Sequence, residues 1–302
     1  MPGIRLTPEE VERGYNNRAA VPEHPYWLDQ FLVRSASALE ALRPVDVRYG
    51  PNPKETLDLY VPPTPVRGTL MFIHGGYWRA FDKSDHAFVA PAFVAAGFAV
   101  AIINYDLCPQ VTIAAIVDEC RRAVEWMSRE GASHGAPAPL VIAGHSAGGH
   151  LVAMMYATDW AARGLAAAPF VGGVTLSGVH DLSPLVLFTH NADLRLDDAE
   201  AARVSPVNHA PSVDAPLVVA VGAPVECVAE HAPGGDARVP CDSRPASLQR
   251  RPRLHGRGKR TRESDHCAFR HTGRHRFGRS SNRSARITFP KRRCGKMHDV
   301  SS

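Results

Sequence analysis

The chain of 302 residues lacks any apolar run long enough to cross a bilayer, although 44% of its residues are hydrophobic. A membrane-spanning helix needs about 20 consecutive apolar residues, so we expect no membrane crossing. Residues 1–16 are polar and lack the basic start, apolar centre and small-residue cleavage site of a secretory signal. These absences favour a globular protein of the cytoplasm.

Cysteine is also scarce over residues 1–222, where only Cys108 and Cys120 occur. So few cysteines indicate reduced thiols rather than a disulfide framework. The later cysteines and histidines form no C-x-x-C pair and no helix-spaced pair of histidines, so we expect neither a zinc site nor another metal site from Cys227, Cys241, His266, Cys267, His271 and Cys294.

Residues 223–302 differ in composition from the rest of the chain. They carry 19 Lys and Arg against 7 Asp and Glu, whereas residues 1–222 carry 16 and 23. The segment has no Tyr or Trp, and apolar periodicity stops after Gly222. Such a segment cannot bury enough apolar surface to offset the entropy of ordering. We therefore expect a folded domain over residues 1–222 and a basic, disordered tail over residues 223–302.

Two hypotheses account for the basic tail. It could bind nucleic acid through phosphate contacts, but it lacks aromatic side chains for base stacking, so no nucleic-acid partner is expected. Alternatively, the coding frame changes near residues 222–225, because out-of-frame translation of a GC-rich gene yields peptide rich in Arg, Pro, Gly, Ser and His. The second hypothesis implies that the C-terminal part of the fold is missing from the chain as written.

Short apolar runs separated by helix-length segments dominate residues 1–222, which is typical of parallel strands joined by crossover helices. An antiparallel hairpin is predicted before them, from Val45 and Val47 to residues 57–61. A helix is predicted from the N-cap Thr112 to Gly131. A weaker helix is predicted over residues 84–96, which Pro91 should kink or shorten and which Gly97 should end. The fold class is α/β, a mostly parallel sheet with helices on both faces. The parallel strands are predicted at residues 70–73, 99–103, 140–143, 171–176 and 217–221.

The most informative motif is G-x-S-x-G at residues 144–148, between a predicted strand and a helix-like run. A sharp turn at this place exposes a serine beside backbone N–H donors, which makes Ser146 the candidate nucleophile. A second loop, His74-Gly75-Gly76, follows the strand at residues 70–73, and its glycines would let backbone amides approach a substrate. The amides of Gly75, Gly76 and Ala147 are therefore the predicted oxyanion hole.

Histidine and aromatic residues also occur in and beside the two loops. His74 is expected to fix the glycine loop rather than to catalyse, and His145 and His150 to pack around the elbow. Tyr77 and Trp78 could either contact the substrate or be buried in the core, and the sequence does not decide between the two roles.

The motifs together resemble the kynurenine formamidase (arylformamidase) branch of the α/β-hydrolases over residues 20–222. That resemblance implies a Ser-Asp-His triad without a metal or other cofactor, and hydrolysis of N-formyl-kynurenine to kynurenine and formate. It also implies that Ser146 is the nucleophile and that Asp181 shapes a loop rather than completing the triad. The matching segments are HGGYW at 74–78, DKSD at 82–85, NYDLCP at 104–109, GHSAGGHL at 144–151, SG at 177–178 and DL at 181–182.

The chain departs from this family after Gly222. The triad order in the fold is serine, acid, histidine, with the acid after a late strand, which is predicted at residues 217–221. No acid loop or histidine loop is recognisable beyond it. His266 lies at a sequence distance from Ser146 that suits a triad base, with coincidence as the alternative, and no acid is assigned.

Three functions remain open. The first is an arylformamidase acting on a small molecule, the second is a carboxylesterase for small esters on the same scaffold, and the third is a non-catalytic remnant or binding protein with a basic tail. The sequence does not indicate the oligomeric state.

Overall fold

A computed structural model describes residues 6–63, 65–165 and 168–222 of the chain. Within these ranges the strands are β1 (Val45–Arg48), β2 (Thr56–Tyr60), β3 (Thr69–Ile73), β4 (Ala99–Ile103), β5 (Leu140–His145), β6 (Gly172–Leu176) and β7 (Leu217–Ala220). The α-helices are α1 (Pro8–Tyr15), α2 (Asn17–Ala20), α3 (His24–Leu42), α4 (Ala90–Ala95), α5 (Ile113–Arg129), α6 (Ala147–Tyr156), α7 (Asn191–Leu194) and α8 (Asp198–Arg203).

The seven strands form one sheet in the order β1-β2-β4-β3-β5-β6-β7. β2 pairs antiparallel with β1 and with β4, and all other pairs are parallel. The chain runs from β3 to β4 on one side of β3 and then crosses to β5 on the other side. Ligands of open α/β sheets bind beyond the carboxyl ends of the strands at such a reversal, so the ends of β3 and β5 are the place to look for a site.

The predicted α/β architecture is confirmed. The hairpin pairs Val47 with Leu57, and each apolar run of the sequence forms a strand within two residues of the expected bounds. β3 and β4 are buried along their full lengths, which explains why they are continuous apolar runs without a polar alternation.

The helices cover both faces of the sheet, as predicted. Thr112 caps α5 by accepting a hydrogen bond from the Ala115 amide (3.2 Å), and the buried stripe of α5 joins α6 in one core cluster. On the other face, Ala38 of α3 and Ala90 of α4 belong to a second cluster with the alternate side chains of β3 and β4.

The weaker predicted helix is irregular in the structure. Lys83–Val89 is a 3-10 helix, and the α-helical part begins at Ala90 with Pro91 in its first turn. Proline lacks an N–H and is tolerated where that donor has no intrahelical acceptor, so Pro91 lies in the first turn of α4. Of the two predicted effects of Pro91, the structure shows a shortened helix and not a kink. The predicted stop is confirmed, because Gly97 follows the helix with φ +84°.

Three N-terminal helices, α1 to α3, were not predicted from the sequence. α1 begins with a capping box, in which Thr7 accepts from the Glu10 amide and the Glu10 carboxylate accepts from the Thr7 amide. Thr7, Pro8 and Glu10 are the sequence signal for this start. α3 is 19 residues long and leaves Tyr26 and Trp27 exposed, so its apolar pattern did not mark a buried face.

The described residues end two positions after β7. β7 lies at the edge of the sheet in this part of the chain, with all four side chains exposed. The predicted tail over residues 223–302, its cysteines and His266 lie outside the described residues. In the part that is described, no helix is long and apolar enough to span a membrane.

Candidate active site

Ser146 occupies the turn between β5 and α6. Its backbone has φ 54° and ψ −118°, a conformation that costs a non-glycine residue about 1–3 kcal/mol. Two hydrogen bonds hold the turn: the Ser146 amide donates to the Leu176 carbonyl (2.8 Å), and the His150 amide donates to the Ser146 carbonyl (3.1 Å). The serine therefore lies at the N-terminus of α6, where free amides favour negative charge.

Gly148 lets α6 approach the sheet at this turn. A Cβ atom on Gly148 would overlap the Ile73 carbonyl oxygen and lie 2.7 Å from the His74 carbonyl oxygen. Both are backbone atoms at the end of β3, so neither can move away as a flexible side chain would. The first turn of α6 consequently rests directly on the strand that carries the glycine loop.

The glycine loop lies against the elbow because β3 and β5 are neighbours, with Ile73 paired to Gly144. A Cβ atom on Gly75 would lie 2.8 Å from the His145 carbonyl oxygen and 3.2 Å from Ser146 Cβ. Gly76 has φ +112°, which a side chain would strain. The amides of Gly75 and Gly76, with that of Ala147 at the start of α6, are thus the candidate oxyanion donors.

Buried polar groups hold the glycine loop in place. The carbonyl oxygen of Gly75 accepts a hydrogen bond from Nδ1 of His74 (2.8 Å), and the Tyr105 hydroxyl donates to the His74 carbonyl (2.8 Å). Asn104 accepts from the Lys83 amide (3.2 Å) and donates to Asp82 (2.6 Å), and its Oδ1 lies 3.3 Å from Nε2 of His74. Burial lowers the pKa of His74 to about 4, so its ring is neutral at pH 7. This arrangement agrees with the predicted structural role of His74.

His150 connects the elbow to the next part of the glycine loop. Its Nδ1 accepts from Nε1 of Trp78 (3.2 Å), and its Nε2 donates to the Val204 carbonyl (2.6 Å). Indole N–H groups only donate and carbonyls only accept, so these partners fix the neutral Nε2–H tautomer. Burial lowers the pKa of His150 to about 3, in keeping with that neutral ring.

We expect the free energy of unfolding to fall steeply as the pH drops below 6.5. Three buried histidines, His74, His86 and His150, have pKa values of about 4, 3 and 3 in the folded protein, each lowered mainly by burial from an ordinary 6.5. Between pH 6.5 and about 4 the unfolded chain binds these protons and the folded protein does not. Each histidine then removes about 1.4 kcal/mol per pH unit.

Urea unfolding at pH 7, 6, 5 and 4.5 tests this linkage. The variant His150→Gln cannot titrate at that position, so its slope of unfolding free energy against pH should be smaller than that of the unchanged chain by about 1.4 kcal/mol per pH unit. The comparison uses slopes, so it holds even though the variant starts from lower stability. Equal slopes would show that His150 is not held neutral in the folded state.

A cavity of about 220 Å³ opens onto the elbow. Ser146, Gly75 and Gly76 line its inner end, and Ser146 is partly exposed to it. Seven lining residues come from residues 17–31, so α2 and the start of α3 form the opposite wall. The volume is below the roughly 300–1,000 Å³ typical of ligand pockets, so the cavity suits one small molecule.

The structure separates the two aromatic residues that the sequence left open. Tyr77 lines the cavity, and its hydroxyl donates to the Tyr15 carbonyl (2.5 Å). Trp78 is fully buried, belongs to the main core cluster and is not among the lining residues. The substrate-facing role is therefore retained as a candidate for Tyr77, and the core role describes Trp78.

Sequence reasoning missed the cavity wall formed by residues 17–31. Trp27 and Phe31 supply aromatic surface there, and Arg18 supplies a positive charge. Trp27 and Phe31 are four residues apart on α3, so the sequence could have shown that they share one helical face. Their contact with residues about 50 to 120 positions later in the chain could not have been recognised, because no local pattern records it.

The partners of a triad are not found among the described residues. Nothing in residues 6–63, 65–165 and 168–222 makes a hydrogen bond to Oγ of Ser146. Asp181 accepts from the Ser183 amide (2.9 Å) at the start of a 3-10 turn, which matches its predicted loop-shaping role. The candidate base His266 lies outside the described residues.

Comparison with known proteins gives matches that include this site. A family model described as BD-FAE matches residues 57–166. The kynurenine formamidase of Salmo salar is 33% identical over 185 residues, covering 59% of this chain and 61% of that protein, and the kynurenine formamidase of Danio rerio is 32% identical over 176 residues, covering 57% and 58%. The chain thus spans about three fifths of the length of these relatives.

A solved structure extends the comparison to most of the described chain. The crystal structure of a "putative thioesterase" from Silicibacter sp. TM1040 superposes with a TM-score of 0.65 and 32% sequence identity. The match covers 72% of this chain and 82% of that one.

Proposed function

The chain belongs to the α/β-hydrolase family as a kynurenine formamidase-like member, and from this membership we propose that it is a serine hydrolase of the arylformamidase type. The proposed reaction is hydrolysis of N-formyl-kynurenine to kynurenine and formate, through an acyl-enzyme at Ser146. The observation that carries the proposal is the position of Ser146, on a strained turn at the inner end of a cavity and against the glycine loop.

The chemistry follows from this position. Oγ of Ser146 attacks the formyl carbonyl, and its proton passes to a base, for which His266 is the candidate. The carbonyl oxygen becomes an oxyanion that accepts from the amides of Gly75, Gly76 and Ala147. The C–N bond then breaks as the aryl amine takes the proton, which leaves formyl-serine, and water hydrolyses that ester to formate.

The cavity supports an aryl substrate over an aliphatic one. Its walls include the rings of Trp27, Phe31, Tyr77 and Phe81. Aromatic side chains present flat apolar faces on which an aryl ring packs in offset or edge-to-face geometry. The aniline ring of an aryl formamide would fit between them with its formyl group directed to Ser146.

Comparison of two substrates tests the proposal against the carboxylesterase alternative. We expect kcat/KM for N-formyl-kynurenine to exceed that for p-nitrophenyl acetate by at least about tenfold, because the wall contacts favour the larger aryl substrate in the transition state. Both activities should require Ser146. The reverse preference would identify a general carboxylesterase.

The non-catalytic alternative has its own support, since Oγ of Ser146 has no hydrogen-bonded base in the described part of the chain. Translation of the other two reading frames after codon 222 checks the frame hypothesis directly, because one of them should yield a strand, a helix and a histidine loop. If the chain as written shows no Ser146-dependent turnover and a frame-restored chain does, the written chain is a remnant. If neither frame restores these elements, the frame hypothesis is wrong.

A further inference from the structure

The charged side chains that line the cavity containing Ser146 are two arginines, Arg18 and Arg79. Tyr77 and four histidines also line it, and burial lowers the pKa of His86, His145 and His190, so these three rings add little positive charge at pH 7. Asp and Glu are absent from the lining formed by the described residues. A cleft lined by one sign of charge attracts ligands of the opposite sign. The ligand is therefore expected to carry a negative charge as well as an aryl ring.

The two arginines are not equivalent. Arg79 forms an ion pair with Asp193 (Nη2 to Oδ2, 2.5 Å), so its charge is already compensated. Arg18 lies on α2, and in the part of the chain that is described its guanidinium forms neither an ion pair nor a hydrogen bond. Arg18 is thus the lining arginine without a carboxylate partner in the described part of the chain, whereas Arg79 is paired and keeps one unpaired donor, Nε.

Arg18 is an exposed residue of the cavity lining, near enough to His190 for its charge to act on that ring. The ring of His190 packs against Tyr77 (5.3 Å between centroids) and Phe188 (4.5 Å). Burial, followed by the charges of Arg79 and Arg18 with Glu12 and Asp193 opposing them, lowers the pKa of His190. Both arginines therefore act on His190, which lines the same cavity as Ser146 and Gly75.

We propose that Arg18 binds a carboxylate of the substrate in the cavity, so that the enzyme selects aryl formamides with an anionic side chain. This inference rests on the proposed function and names the group that the cavity recognises. A guanidinium pairs with a carboxylate through two parallel N–H···O bonds, which orients the ligand as well as attracting it. The aryl ring then lies between the aromatic walls, and the formamide reaches Ser146.

Equilibrium binding to the full chain carrying Ser146→Ala tests the inference without turnover. By calorimetry, L-kynurenine should bind at least about tenfold more tightly than kynuramine, which has the same aryl ketone and no carboxylate. The deaminated analogue that keeps the carboxylate should bind like L-kynurenine. Adding Arg18→Gln should weaken binding of both carboxylates about tenfold and leave kynuramine within twofold.

Arg34→Gln is the matched control. Arg34 is an exposed arginine of α3 that does not line the cavity, so this change should leave all three affinities as they were. Thermal melting of each variant shows whether the fold is intact, and Arg18 is exposed on a short helix where glutamine is tolerated.

The outcomes separate this inference from the proposed function. Equal affinities for L-kynurenine and kynuramine, or an Arg18→Gln change that weakens both alike, would overturn carboxylate recognition. Failure of all three ligands to bind would also overturn carboxylate recognition. Loss of the proposed function is a different result, namely no Ser146-dependent hydrolysis of N-formyl-kynurenine, and it is measured on the chain that retains the serine.

Discussion

Replacing Ser146 by alanine should lower kcat/KM for N-formyl-kynurenine and for p-nitrophenyl acetate by about 10³- to 10⁶-fold, because it removes the atom that forms the acyl-enzyme. The oxyanion amides and the cavity stay in place, so a small residual rate above that in water is expected. The turn should keep its strained φ of 54°, because alanine carries a Cβ atom as serine does. Steady-state kinetics and labelling by a fluorophosphonate probe measure the effect.

Ser37→Ala is the matched serine control. Ser37 is exposed on α3, and its hydroxyl donates to the Val33 carbonyl (3.1 Å) far along the helix from the cavity. The activity of the Ser37→Ala variant and its labelling by the probe should equal those of the unchanged chain. Full labelling of the Ser146→Ala variant would show that another residue is the nucleophile.

Replacing Gly148 by alanine should destabilise the protein by more than about 3 kcal/mol, or prevent folding. The new methyl group would overlap the Ile73 carbonyl oxygen and press on that of His74, and both belong to the end of a central strand. Relief would require α6 to move away from β3, which breaks the packing of the elbow. Urea unfolding or a thermal melt gives the loss of stability.

Gly14→Ala provides the opposite expectation at another helical glycine. A Cβ atom on Gly14 would meet nothing within 4 Å, so alanine should leave α1 unchanged or stabilise it by about 0.5–1 kcal/mol through its helix propensity. If Gly148→Ala changed the stability as little as Gly14→Ala, the inferred close packing of α6 against β3 would be wrong.

The central sheet and the elbow were predictable because their signals are local. Buried parallel strands are short apolar runs, α5 has a three-and-four apolar repeat with Thr112 as its cap, and the serine motif spans five residues between a strand and a helix. The opposing glycine loop followed from its place after β3. In each case neighbouring residues determine the conformation.

The outer half of the site was not predictable from such signals. α3 carries exposed aromatic side chains, so hydrophobic periodicity did not mark it, and Arg18 looks like any surface arginine. Tyr77 and Trp78 are adjacent, and both have positive φ (49° and 54°), so their opposite directions depend on distant partners. Those partners are the Tyr15 carbonyl for one and His150 for the other.

The division of the cavity between two parts of the chain has an evolutionary consequence. The reacting serine and its amide donors belong to the ends of β3 and β5, whereas the wall that a ligand's side group touches comes from residues 17–31. Ligand preference can therefore diverge among descendants through a few substitutions in residues 17–31, with the acyl-transfer apparatus inherited unaltered.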